Sequence, residues 1–160
     1  MMSPRLLVVM ILIGLASLRG TLMEERMTSN MRDRSLAFQS AEAALRQGES
    51  VAQGKPTVPT TPGSCAAGLC GRPDPTAAPV WQSATVWTAA PNATVPGDMP
   101  PAKYIVELLA DNVPPQGSCS SSGDVSETSC SGTESRYRIT ARSSMNNRAE
   151  VTLQSTYSVP

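Results

Sequence analysis

From Leu6 to Leu18 the chain reads LLVVMILIGLASL, an unbroken apolar run between Arg5 and Arg19. As a helix this run rises only about 20 Å, short of the roughly 30 Å hydrocarbon core of a bilayer. Alone it has the length of a signal-peptide core, and Gly14-Leu15-Ala16 supplies small residues for a cleavage before Ser17. The pattern behind it, however, does not break into a linker. Met23, Met27, Met31, Phe38, Ala41 and Leu45 recur at multiples of three and four. Arg and Glu occupy the other faces, among them Glu24, Glu25, Arg26, Arg32, Arg34, Glu42 and Arg46. Gly48 and Gly54 supply a stop. The spacing predicts one helix from about Leu6 to Gln47, on the order of 60 Å long, apolar all round at its start and striped at its end. Residues 1–22 form the apolar segment, in which Leu6, Val9, Ile13, Gly14, Ala16 and Gly20 are the packing positions. Ala16 and Gly20 make a small-xxx-small pair that lets helices approach closely.

Beyond the helix the period changes. Residues 50–79 are rich in proline and read as surface loops. Trp81 and Trp87, six apart among Val80, Thr85, Val86 and Thr88, would share a face of a strand over residues 80–89. Lys103 to Ala110 is a second strand. In Arg136 to Arg142, Tyr137, Ile139 and Ala141 point one way while Arg136, Arg138, Thr140 and Arg142 point the other. Val151, Leu153 and Tyr157 repeat the alternation, and the turn over 143–148 joins the last two strands into an antiparallel hairpin. Such a one-sided sheet needs a cover, and the amphipathic end of the helix, residues 23–47, supplies it. The expected core sets Phe38, Ala41 and Leu45 against Tyr137, Ile139, Val151 and Leu153. The fold class is α+β: a long N-terminal helix on a small antiparallel sheet, with a head spanning 23–160.

Composition narrows the chemistry. The 160 residues hold 13 Lys+Arg, 13 Asp+Glu and no His. Zero net charge leaves no footprint for nucleic acid. The absence of His removes Ser-His-Asp and Cys-His nucleophile systems and every His-containing metal site. No paired-carboxylate motif stands out, so an enzyme is not expected, nor any catalytic residue, cofactor or metal.

The four cysteines, Cys65, Cys70, Cys119 and Cys130, fit a disulfide framework in an oxidising compartment. Three connectivities are open. The local one, Cys65–Cys70 and Cys119–Cys130, is expected, each pair closing a short loop worth roughly 2–3 kcal/mol in the chain-entropy model. The rival is a four-cysteine zinc site, whose C-x2-C spacing neither pair shows. The cysteines also decide topology. Arg19, Arg26, Arg32 and Arg34 follow the apolar run and only Arg5 precedes it, which taken literally puts the C-terminus in the cytoplasm. Disulfides argue for the other side.

One family brings these features together. Leu15-Ala16-Ser17-Leu18-Arg19-Gly20-Thr21, Glu24-Glu25-Arg26-Met27, Arg32-Asp33-Arg34, Leu36-Ala37-Phe38-Gln39 and Ala41-Glu42-Ala43-Ala44-Leu45-Arg46 resemble the N-terminal helix of PilX-type minor pilins of the bacterial type IV pilus. Gly68-Leu69-Cys70, Trp81, Tyr104-Ile105-Val106-Glu107, Tyr137 to Arg142 and Val151 to Tyr157 are similar to its later blocks. Ser143-Ser144-Met145 stands where that family has a Gly-rich turn. The resemblance implies a pilin-like fold and a subunit inserted in the inner membrane with a periplasmic head, later incorporated in the extracellular pilus. It also implies a non-catalytic role in priming assembly or at the tip, in the service of adhesion and twitching motility. The implied partners are other minor pilins, the major pilin, the assembly platform and a tip adhesin. It implies, too, a basic leader ahead of a longer apolar stretch, so the start is expected upstream of Met1 or the copy is not processed, and no residue here is assigned as the peptidase site. The alternatives are a minor pseudopilin of a type II secretion system, and a secreted periplasmic binding module cleaved before Ser17.

Overall fold

The structure, a computed structural model, describes residues 4–115, 132–146 and 148–160. One helix, α1 (Pro4–Gln53), runs for 50 residues, about 75 Å at 1.5 Å per residue. It outlasts the expected end at Gln47 because Gly48 is not a stop. The chain turns only at Gly54, whose N–H reaches Val51 O at 3.1 Å, and Lys55 then takes a left-handed φ of 47°.

The head is a five-stranded sheet in the order β1 (Cys65–Ala66), β2 (Leu69–Cys70), β3 (Ala102–Val113), β4 (Glu134–Ser143), β5 (Val151–Val159). The last two strands form the expected antiparallel hairpin, with Tyr137 opposite Tyr157 and Ala141 opposite Leu153. β3 and β4 also pair antiparallel, with register shifts beyond Leu108. One junction departs from the antiparallel expectation: β2 runs parallel to β3, Leu69 beside Val106. The tight β1–β2 turn places β2 there. Its Gly68 sits at φ +79°, where a Cβ would press on Pro91 and on Tyr104 O, so only glycine fits.

How α1 docks is decided by small side chains. Ala37, Ala41, Ala44 and Ala52 are each 0% exposed, and Gly48 is buried among them. At 100° per residue these five fall within about 80° of the helix circumference. A Cβ on Gly48 would meet Ile139 Cγ2 at 2.6 Å and the Tyr104 ring at 3.3 Å, so the helix lies on the sheet as closely as backbone allows. Around this seam pack Val106, Tyr137, Ile139 and Val159, flanked by Leu45, Tyr104, Leu108 and Tyr157. Farther toward the start of α1, Ala44, Ala102 and Ala141 form a second cluster. Polar ties fix the register: Ser40 Oγ donates to Pro100 O, Gln47 clamps Thr94 through two hydrogen bonds of 2.6 and 2.9 Å, and Ser155 Oγ donates to Glu49 at 2.9 Å.

The sequence reading of the core is corrected at one position. Phe38 is 47% exposed rather than buried. It stands about 80° round the helix from the middle of the small-residue seam. Leu45, on the same stripe, is half-buried against both clusters because it lies farther along the sheet. Ala41, Tyr137 and Ile139 are buried, while Val151 and Leu153 on β5 are half-buried.

A second correction concerns residues 80–89. They are not a strand. Val80–Gln82 form a 3-10 turn and Ala84–Ala89 a short helix, α2. The segment crosses the sheet face opposite α1, and the helical turn lets Val80, Trp87 and Ala90 reach Ile105 and Cys70 together. Trp87 Nε1 then donates to Trp81 O at 2.7 Å, giving its indole N–H a partner under cover. The sheet is therefore covered on both faces, by α1 on one and the proline-rich segment on the other.

The seam should tolerate no added bulk. Gly48→Val is expected to lower stability by roughly 1–3 kcal/mol or more through overpacking. Phe38→Ala, half in solvent already, should cost about 1 kcal/mol or less. Thermal melting of the full chain in detergent compares the two, and a larger loss for Phe38→Ala would reverse the account of docking.

Candidate packing interface

The small-residue seam divides α1 into two halves of different chemistry. From Ala37 onward the helix is committed to the head. Before it, Val8, Val9, Met10, Ile11, Leu12, Ile13, Leu22, Met23, Met27 and Met31 are all more than half exposed. Of the apolar packing positions expected from sequence, Val9 is 51% and Ile13 64% exposed. Gly14 has nothing within 4 Å of where a Cβ would stand. Leu6, Ala16 and Gly20 lie on the same helix. Among the described residues no helix is long and apolar enough to cross a membrane. What the arrangement offers is an apolar helical rod that its own head does not cover, a surface suited to packing against other helices.

The head is stapled at the opposite edge of the sheet. Cys65 and Cys70 are joined by a disulfide, with Cα atoms 4.1 Å apart, the local pairing expected from the sequence. Cys119 and Cys130 lie outside the described residues.

The outward face of β3 and β4 carries charges whose cover the sequence did not reveal. Glu107 is 2% exposed and accepts both Arg138 Nε at 2.7 Å and Arg138 Nη2 at 2.5 Å on Oε2. Its Oε1 has no hydrogen-bond partner among the described residues. The segment from Pro73 to Val80 roofs this pair, and Arg72 pins the roof by an ion pair to Asp111 on β3. Farther along, the Arg142 guanidinium lies 5.7 Å from the centroid of the Trp87 ring, a cation–π contact, and pairs with Glu150 at 2.8 Å. Lys103 Nζ donates to Trp87 O at 2.9 Å and Thr88 O at 3.2 Å, which caps the last turn of α2. The Arg138 and Arg142 positions that alternation assigned to an open face thus hold the proline-rich cover in place.

Titration follows these contacts. The hydrogen bond from Arg142 holds the Glu150 carboxyl below its ordinary 4.5. Burial raises the Tyr137 phenol above 10.0, and the Thr76 hydroxyl and N–H lower Asp74 from 3.8. A further ion pair, Asp33 with Arg148 at 3.1 Å, ties α1 to the turn between β4 and β5.

Sequence reasoning missed the small-residue seam, although Ala37, Ala41, Ala44, Gly48 and Ala52 spell it at spacings of four, three, four and four. It missed the Glu107–Arg138 pair because the two lie 31 residues apart and only the β3–β4 register brings them together.

Comparison with known families accounts for nearly the whole length. A model described as PilX N-terminal matches residues 1–46. A second, described as type IV pilus assembly protein PilX, C-terminal, matches residues 46–159. No curated protein and no solved structure matches the chain.

Arg138→Ala would leave Glu107 buried and uncompensated, so a loss of roughly 3–5 kcal/mol is expected in denaturant unfolding. Replacing both, Glu107→Leu with Arg138→Met, should recover most of it. Glu150 gives a pH signature. Its lowered native value means its contribution is present above 4.5 and fades as pH falls through the native value. With 49% of its side chain exposed, the amount is well under about 1 kcal/mol. Melting curves of the parent and Glu150→Gln should differ slightly at pH 7 and converge in acid.

Proposed function

The chain belongs to the PilX family of type IV pilus minor pilins, and from that premise we propose that it works at the start of the filament. In this reading it is held in the inner membrane by the apolar half of α1, exposes its head to the periplasm, and joins other minor pilins to prime assembly. It then remains at or near the pilus tip. The family is a structural component of the pilus, not an enzyme family, and its members interact with other pilus components.

The observation that supports this role is the division of α1. A subunit that enters a filament needs an apolar helix free for neighbours and a head that folds without them. Here the apolar residues of Val8 to Ile13 and Leu22, Met23, Met27 and Met31 are uncovered, while the head closes its own core on Ala37, Ala41, Ala44, Gly48 and Ala52. The two functions occupy different stretches of one helix, so the head need not rearrange on assembly. Sharing of the membrane and the filament core by one apolar surface is also economical in sequence: both environments exclude water and both favour the same side chains.

Gly14→Asp tests the reading. Nothing in the subunit lies near the new side chain, so melting of the head should be unchanged. A charge within the apolar half costs roughly 2.5–3.5 kcal/mol or more at a bilayer centre, so insertion and assembly should fail. In a deletion strain complemented with this variant, the number of surface pili should fall, as with loss of a priming subunit, while the length of any remaining pili is kept. Normal piliation would remove the mechanism.

A further inference from the structure

The two edges of the sheet are finished in opposite ways. One ends in β1, two residues long and locked by the Cys65–Cys70 disulfide. Such a short, closed edge offers almost nothing to pair with. The other ends in β5, nine residues reading VTLQSTYSV, which among the described residues has a strand partner on one side only. This edge carries no charge, no proline and no glycine, and its pairing with β4 runs without a bulge from Val151 to Val159. None of the usual guards against edge-to-edge pairing is present.

Above this edge, α1 overhangs empty space. Met31 and Phe38, seven residues apart, lie on one stripe of the helix and are 72% and 47% exposed. With Arg34, Glu150, Val151 and Leu153 they line a groove of about 890 Å³ between helix and strand, Glu150 being paired already with Arg142. The stripe continues into Leu45, which is half-buried where the sheet does reach beneath it. Phe38 is thus placed as a core residue whose underlying strand is missing. Strands stand about 4.8 Å apart, so one further strand beside β5 would lie under Phe38 and Met31.

We propose that β5 accepts an added strand from a different pilus subunit, and that Phe38 and Met31 close over it. This rests on the assembly role above and names the surface through which it operates. The occupant is an extended segment with apolar side chains at alternate positions and an acidic residue near Arg34, which makes no ion pair among the described residues. A second copy of this chain fits poorly. β5 runs in the direction of α1: Leu153 lies by Phe38, Ser155 by Glu49, and Val159 packs with Ala52. Antiparallel pairing of two β5 strands about a two-fold axis would point the second α1 the opposite way. Two subunits so joined could not both enter one membrane or one filament core. The edge also adjoins the uncovered Leu22, Met23 and Met27 of α1, so a neighbour packed on that helix stands beside the groove.

The test incorporates the photo-crosslinker p-benzoylphenylalanine at position 38 of the full chain, in cells assembling pili, and maps adducts by mass spectrometry. An adduct with another pilus subunit, on an extended apolar segment, is expected. Two variants accompany it. Phe38→Lys charges the groove, and Thr156→Lys guards the edge from an exposed position on the other face. Both should leave melting of the head close to that of the parent. Thr156→Lys, which can carry the crosslinker at position 38, should weaken the adduct several-fold, and Phe38→Lys should lower piliation several-fold, which separates edge from groove. An adduct only with a second copy, or no adduct with full piliation in both variants, overturns the proposal. If Gly14→Asp abolishes pili and the two edge variants do not, the strand-addition idea fails while the pilin role stands.

Discussion

The close approach of α1 to the sheet is the constraint on which the rest of this molecule depends. Ala37, Ala41, Ala44, Gly48 and Ala52 remove side-chain bulk along one narrow face, so Ile139 and Tyr104 reach the helix backbone itself. Apolar contact is then made by the sheet's residues, Val106, Tyr137 and Ile139, and the helix contributes a smooth surface. A seam of this kind is rigid, because packing at that distance leaves no room for rotamer change. It also saves the entropy of ordering long side chains on the helix, since alanine and glycine have none to lose.

That economy leaves a small head short of large apolar residues, and the other sheet face compensates with polar fastenings. The proline-rich cover contributes Val80 and Trp87 to a second cluster. It is then secured by Arg72 to Asp111, Lys103 to the end of α2, and Arg142 against Trp87. Glu107 and Arg138 sit beneath it. A buried pair of this sort contributes little net stability, because desolvation offsets the attraction, but it penalises any other placement of the cover. The disulfide acts in the same sense at the sheet edge, holding β2 where it can pair with β3.

What the sequence made legible follows from which signals are local. The β4–β5 hairpin was readable because alternation in RYRITAR and AEVTLQSTY marks each inward residue without reference to anything else. Of the three connectivities the sequence leaves open, the expected local Cys65–Cys70 pair is the one found. Two things were not legible. The apolar stripe through Met31, Phe38 and Leu45 is the strongest periodic signal in the second half of α1, yet only Leu45 is substantially covered. Large side chains advertise a face that wants burial, and say nothing about whether this chain or another provides it. Likewise β-branched Val80, Thr85, Val86 and Thr88 suggested a strand, but β-propensity reports fit to a half-buried surface, and here a helical turn between Pro79 and Ala90 fits better. The family resemblance, by contrast, was legible across nearly the whole chain, and the matched regions, 1–46 and 46–159, meet at residue 46, inside the docked half of α1.

Within α1 one physical problem gives way to another at Ala37, before the junction of those regions is reached. In the proposed filament core a helix is held by many neighbours and needs mainly an apolar surface, which residues 6–18 supply. A helix on a sheet is held by one partner and needs a shape, so its second half is specified residue by residue at Gly48 and the flanking alanines. Between them, at Met31 and Phe38, the chain keeps large apolar groups that neither the bundle rule nor the seam requires. Their exposure would be a liability for a free monomer. If a neighbouring subunit adds the proposed strand, the same exposure is where this chain's fold stops and its neighbour's begins.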